Sequence, residues 1–204
     1  MKIKTIDRSN KNVNIIFEDE STLEVDESDY LTMTLYSREE LSKEECEYIK
    51  RNYQIKKARI EAIKYVSYKI RSCKEVYQRL LKLDFDADII RIVIESLIKD
   101  KYLDDLDYAQ RYARTKIKLN KISRKQLEIE LSQKGISDDM ISSLQEIEEI
   151  DEYGDIKRLL LKKYNVNELL DSKIKLKAMK FLFSKGYGIE LIKRAIEEVS
   201  QIVD

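Results

Sequence analysis

The chain has 204 residues, 43% of them apolar, enough to bury a core. It contains no proline and only four glycines, and its wealth of Lys, Glu, Leu and Ile predicts a mainly helical protein, since straight-chain side chains lose little rotamer freedom in a helix. The formal charge is zero, from 39 basic and 39 acidic residues, and histidine is absent. That removes the commonest general acid/base and metal ligand, so no enzymatic activity, cofactor or metal is expected.

The first 41 residues read as a small β element. KIKTI (2–6), VNIIF (13–17) and TLEV (22–25) are β-prone runs separated by the polar turn DRSNKN and the acidic link EDES, a pattern for an antiparallel hairpin or a three-stranded sheet. The opening MKIKTIDRSNKNVN lacks the apolar core of a secretion signal, and no apolar run reaches the roughly 20 residues of a membrane span. A cytoplasmic protein with no membrane contact is expected. Ser42 followed by Glu45 fits a capping box and starts a helix. Cys46 and Cys73 lack metal-ligand spacing and read as ordinary, partly buried thiols.

From residue 42 onward the sequence repeats itself. VYQRLLKLDFDADIIRIVIESL from 76, LEIELSQKGISDDMISSLQEIE from 127 and AMKFLFSKGYGIELIKRAIEEV from 178 align with an offset of 51. Apolar columns run through Leu80, Leu131 and Leu182; Phe85, Ile136 and Tyr187; Ile89, Met140 and Leu191; Ile90, Ile141 and Ile192; and Val93, Leu144 and Ala195. Asp84, Gly135 and Gly186 share the position where a helix ends through a left-handed residue. Upstream, EAIKYVSYKI (61–70), DYAQRYARTK (107–116) and GDIKRLLLKK (154–163) match at an offset of 47, which assigns a four-residue lengthening to each successive link between first and second helices. The expected fold is therefore mainly α: tandem three-helix repeats over 42–102, 103–149 and 150–204 in an elongated curved array, led by the β element of 1–41.

The zero net charge hides segregation. Residues 51–82 carry ten basic and two acidic side chains, 83–110 three and eight, and 138–155 eight acidic and none basic. In the cluster Asp104, Asp105 and Asp107, Asp104 and Asp107 could share a helix face and, with Asp100, offer oxygen ligands to Mg²⁺, but Asp at a helix start ordinarily caps it. Asp104 and Asp105 are read as caps, as are Ser72 (before Glu75) and Ser123 (before Gln126). Arg111, Arg114, Lys118, Lys121 and Lys125 recur at helical spacing and predict a basic face for a phosphate backbone or an acidic protein groove. Arg51, Lys56, Lys57, Lys64 and Lys69 form a looser counterpart, and Lys157, Lys162 and Lys163 another. Tyr65, Tyr68, Tyr108 and Tyr112 are expected to face the core.

AIKYVSYKIRSCKEVYQRLLKLDF (62–85), KYLDDLDYAQRYARTK (101–116) and LEIELSQKGIS (127–137) resemble the bacterial RecX regulatory family: its Ala-rich helix leading to Arg-Ser and Glu, its Gly-Tyr-Leu-Asp-Asp segment, and its Glu-Leu-x-x-Lys-Gly-Ile run. This chain departs from the pattern at Ile70, Lys101 and Leu83-Asp84, where the family often has Pro, Gly and Lys-Gly. The resemblance implies tandem three-helix units and a non-enzymatic modulator of the RecA recombinase; a monomer is expected. Such a protein binds RecA filaments on single-stranded DNA and dampens recombinase, ATPase and coprotease activity. The alternative is an independent nucleic-acid-binding repeat protein, for which basic helix faces alone suffice.

Overall fold

The computed structural model describes residues 1–8, 12–120, 122–148 and 150–201. It divides into two compact units, Met1–Leu103 and Asp104–Asp204.

In the first unit, β1 (Ile3–Arg8), β2 (Asn12–Phe17) and β3 (Thr22–Asp26) form an antiparallel sheet in that order. Alternation along the strands decides which face is covered: Val13, Ile15 and Phe17 of β2 and Leu23 and Val25 of β3 all point into the core. Two short elements not anticipated from the sequence follow. Helix α1 (Glu27–Thr32) is capped by Asp26, whose Oδ1 accepts from the Asp29 N–H at 2.9 Å, and a 3₁₀ turn spans Leu35–Ser37. They deliver Tyr30, Leu35 and Leu41 to the same core.

Helix α2 (Lys43–Tyr68) starts at the Ser42–Glu45 capping box, with both reciprocal bonds formed (3.0 and 2.8 Å). Its first half lends Cys46 and Ile49 to the sheet core. Its second half lends Ala58 and Ala62 to a helical core with α3 (Cys73–Leu81) and α4 (Ala87–Lys99). Arg59 ties α2 to α4 through Ser96 (2.5 Å) and Asp100 (2.7 Å). Both cysteines are free and partly buried.

The second unit holds two further copies of the pattern. The first has α5 (Asp105–Asn120), α6 (Arg124–Gln133) and a third helix broken into α7 (Asp138–Ser142) and α8 (Gln145–Glu148). The other has α9 (Glu152–Lys163), a 3₁₀ turn (Val166–Leu170), α10 (Ser172–Ser184) and α11 (Ile189–Ser200). The repeat columns are core columns: Leu80, Leu131 and Leu182 are each 0% exposed, and truncating any of them to Ala should cost about 2–5 kcal/mol. Met140 departs from its column and stays exposed. The shared helix-ending position is left-handed in all three copies, with φ of 60° at Asp84, 88° at Gly135 and 87° at Gly186.

The lengthening between first and second helices takes two forms, and only one is a link. In the second repeat the added residues prolong α5 to Asn120; in the third they form the 3₁₀ turn, whose Leu169 is fully buried. The break after Ser142 has a local cause. Ser143 Oγ donates back to the Met140 carbonyl (2.8 Å) and the Leu144 N–H bonds to Ile141 O (3.2 Å), a tightened turn in place of a continuing α-helix.

Candidate interaction surface

Helix α5 is oriented by Asp104, whose Oδ1 accepts from the Leu106 and Asp107 N–H groups at 2.9 and 3.0 Å. Asp105 is the first helical residue and not the cap. Asp107 is the partner of Arg111 (2.9 Å), so two carboxylates of the cluster have structural roles. Ser72 forms both halves of its capping box with Glu75, at 3.3 Å each. Ser123 Oγ accepts from Gln126 N (3.1 Å), while the Gln126 carboxamide reaches forward to Glu130 (3.4 Å). Ser123 also donates to the Lys185 carbonyl (2.9 Å) next to Gly186, joining second and third repeats, and it is fully buried there.

The expected basic face of α5 is committed within the molecule in part. Arg114 pairs with Glu146 through Nη2 (2.8 Å) and Nε (3.0 Å), and the Glu146 side chain is only 10% exposed. Lys116 bonds Glu130 (2.7 Å), which also accepts from the Tyr112 hydroxyl (2.7 Å). That bond to Glu130 holds the Lys116 ammonium above the ordinary lysine range. Lys118 is exposed on α5, whereas α5 ends at Asn120 and Lys125 lies in the first turn of α6; the single five-residue stripe is therefore broken. Lys121 lies outside the described residues.

The counterpart on α2 is covered in part by the sheet. Lys56 contacts both Asp26 (2.9 Å) and Asp29 (2.5 Å), and Lys57 approaches Glu24 (3.7 Å) and lies over the Tyr53 ring. Burial raises the Asp26 pKa, but bonds from Ser28, Lys56 and the Asp29 N–H outweigh it and bring the carboxyl down to about 2. Lys64 pairs with Glu61 (2.7 Å). Arg51 is exposed on α2, and Lys69, its C-cap, is exposed beside it in sequence. In the third repeat Lys157 pairs with Glu198 (2.5 Å), Lys163 stands 3.5 Å over the Phe181 ring, and Lys162 is exposed. Of the tyrosines, Tyr108 is buried and Tyr65 and Tyr112 are half-buried, but Tyr68 is 88% exposed and does not face a core.

Sequence spacing missed one open basic surface. Helix α10 carries Lys173, Lys175, Lys177 and Lys180 and no acidic residue. None of the four forms an ion pair among the described residues. Lys173, Lys177 and Lys180 share a face with Leu176 and Phe183, which are 52% and 64% exposed. The opposite side of α10 is spent on the core through Ala178 and Leu182.

Three family models match in chain order: "RecX, first three-helix domain" over 58–97, "RecX, second three-helix domain" over 104–143 and "RecX, third three-helix domain" over 150–196. The sheet, α1 and the first half of α2 lie outside the matched segments. A "Regulatory protein RecX" of Listeria monocytogenes serotype 4a (strain HCC23) is 30% identical across all of this chain and 78% of its own length. That of Bacillus cereus (strain B4264) is 31% identical across all of this chain and 77% of its own. A crystal structure of a regulatory protein RecX superposes with a TM-score of 0.69 at 21% identity, covering 96% of this chain and 98% of that one. The crystal structure of RecX from Lactobacillus salivarius gives 0.61 at 27% identity, covering 73% and 98%.

Proposed function

The chain belongs to the RecX family of regulatory proteins, and on that premise we propose that it is a non-enzymatic, cytoplasmic, monomeric regulator of the RecA recombinase. In this reading it binds RecA filaments on single-stranded DNA, meeting the DNA directly or through the filament, and lowers recombinase, ATPase and coprotease activity. The observation that carries the reading is the match of all three helical repeats, in order, to the family's three-helix domains. Repetition also suits a helical partner, because several weak contacts on one chain add as avidity.

We assign the contact first to cations that no carboxylate holds among the described residues: Lys173, Lys177 and Lys180 of α10, with Lys118, Lys125, Arg51 and Lys69. Lys121 belongs to the same assignment on sequence grounds. Arg111 and Lys64 can join them, since their pairs are exposed, and such pairs contribute about 0–1 kcal/mol and exchange readily for a partner's phosphate or carboxylate. Lys57, whose 3.7 Å approach to Glu24 is equally exposed, joins them too, whereas Arg114 and Lys56 are assigned to holding the fold. The test adds the protein, well below stoichiometric, to RecA on single-stranded DNA with ATP. Hydrolysis and filament length should fall; no change in either over a wide concentration range would overturn the reading.

A further inference from the structure

The second repeat differs from its neighbours in one respect that creates a surface. The third helix of the first and last repeats is continuous over 13 and 12 residues, whereas in the second it is split into pieces of five and four. The split leaves a groove of about 630 Å³ between α6 and the α7–α8 pair. Its exposed apolar lining is Ile129, 41% accessible, joined at the floor by the edges of Ile141, Leu144 and Ile147, which otherwise pack into the core of the repeat. Glu128 and Asp138 also line it, and both are exposed. Neither carboxylate has a cationic partner among the described residues, and no lysine or arginine lines the groove.

Sign and shape together select the occupant. The lining carries two carboxylates, Glu128 and Asp138, and no cation, so a ligand bearing phosphates or carboxylates is repelled. An apolar floor between unpaired carboxylates complements an aliphatic side chain flanked by cations. We propose that this groove docks a cationic amphipathic segment of a protein partner, an aliphatic anchor resting on Ile129 and the edges of Ile141, Leu144 and Ile147 while flanking lysines or arginines face Glu128 and Asp138. The site is opposite in charge to the α10 face and goes beyond the regulatory reading without resting on it.

The probe is a fluorescein-labelled peptide of about 14 residues, with leucines at three- and four-residue intervals and lysines elsewhere, titrated by anisotropy into the full chain. Saturable binding should fall roughly tenfold in Glu128→Lys/Asp138→Lys, with helical circular dichroism unchanged because both side chains are exposed. Ile129→Asn should weaken binding by a smaller factor, and Lys173→Gln/Lys177→Gln/Lys180→Gln should leave it unaltered. Hydrogen exchange with peptide bound should slow in 128–147. Equal affinity in the charge-reversed protein, or protection confined to other segments, overturns the proposal. So does concentration-dependent self-association that the reversal abolishes, since the occupant is then a second copy. A wild-type chain that leaves RecA hydrolysis untouched would sink the regulatory reading and leave these results standing.

Discussion

Gly186→Ala probes the joint between second and third repeats. Gly186 has φ of +87°, and a Cβ built there meets Ser123 Oγ at 2.5 Å and Gln126 Cβ at 3.2 Å. Forcing a non-glycine residue into the left-handed region costs about 1–2 kcal/mol. Displacing Ser123 Oγ threatens its bonds from Gln126 N and to Lys185 O in a fully buried site, and loss of a cap adds about 1 kcal/mol. The sum is about 2–3 kcal/mol. Urea unfolding followed by circular dichroism should show a lower midpoint at unchanged slope. A double-mutant cycle with Ser123→Ala isolates the contact: Ser123→Ala alone removes the cap, and the double variant should recover about 1 kcal/mol relative to additivity because the clashing oxygen is gone. Strict additivity, or a cost no larger than the backbone strain alone, would refute the argument from contact.

Other outcomes follow from the same geometry. Asp104→Ala should cost about 1 kcal/mol in urea unfolding, since two N–H groups lose their acceptor. Gly188, the N-cap of α11, has no side-chain cap and nothing within 4 Å of a built Cβ; Gly188→Ser should be neutral or stabilising, by up to about 0.5 kcal/mol, read as a raised urea midpoint. The Asp26 carboxyl is brought from 3.8 to about 2 on folding, so its contribution, about 2 kcal/mol, is complete above its unfolded pKa and fades as pH falls from about 5 toward 2; Asp26→Asn should lower stability at pH 7 and flatten that acid limb. Lys173→Glu/Lys177→Glu/Lys180→Glu should raise the concentration needed to inhibit RecA ATP hydrolysis roughly tenfold with the fold intact, and full potency in that variant would remove α10 from the contact.

The repeat was legible because core packing writes itself at fixed spacing. Leu80, Leu131 and Leu182 are buried for one reason in three places, and Asp84, Gly135 and Gly186 share one backbone angle. The charge surface was less legible, because spacing reports which side chains share a helix face and not what stands opposite. Arg114 looked like a member of a free stripe until Glu146, 32 residues on, was found against it; reversing it would strand a buried carboxylate as well as alter the surface. Lys56 and Lys57 are taken by acids 27 to 33 residues earlier, on β3 and α1. The stretch 156–194 reads as basic, with eleven cationic and three acidic side chains, but Lys173, Lys175 and Lys177 alternate like a strand and do not stand out as a helical stripe, although no acidic residue lies from 172 to 189. The split in the third helix was foreshadowed only by Ser142-Ser143, a pair common enough elsewhere to carry no warning.

Helix α2 spans about 39 Å at 1.5 Å per residue, and its two halves are claimed by different cores: Ile49 by the sheet, Ala58 and Ala62 by the first helical repeat. No peptide bond between Ser42 and Tyr68 is therefore a clean place to cut. A fragment trimmed to the matched segment at residue 58 would keep its repeat residues yet lose four turns of the helix they pack on, and one trimmed to 42 would leave Ile49 and Tyr53 bare to solvent. A protease given the native protein should spare this helix, and in hydrogen exchange its amides should open together with the strands of the sheet and the helices of the first repeat, as a single foldon.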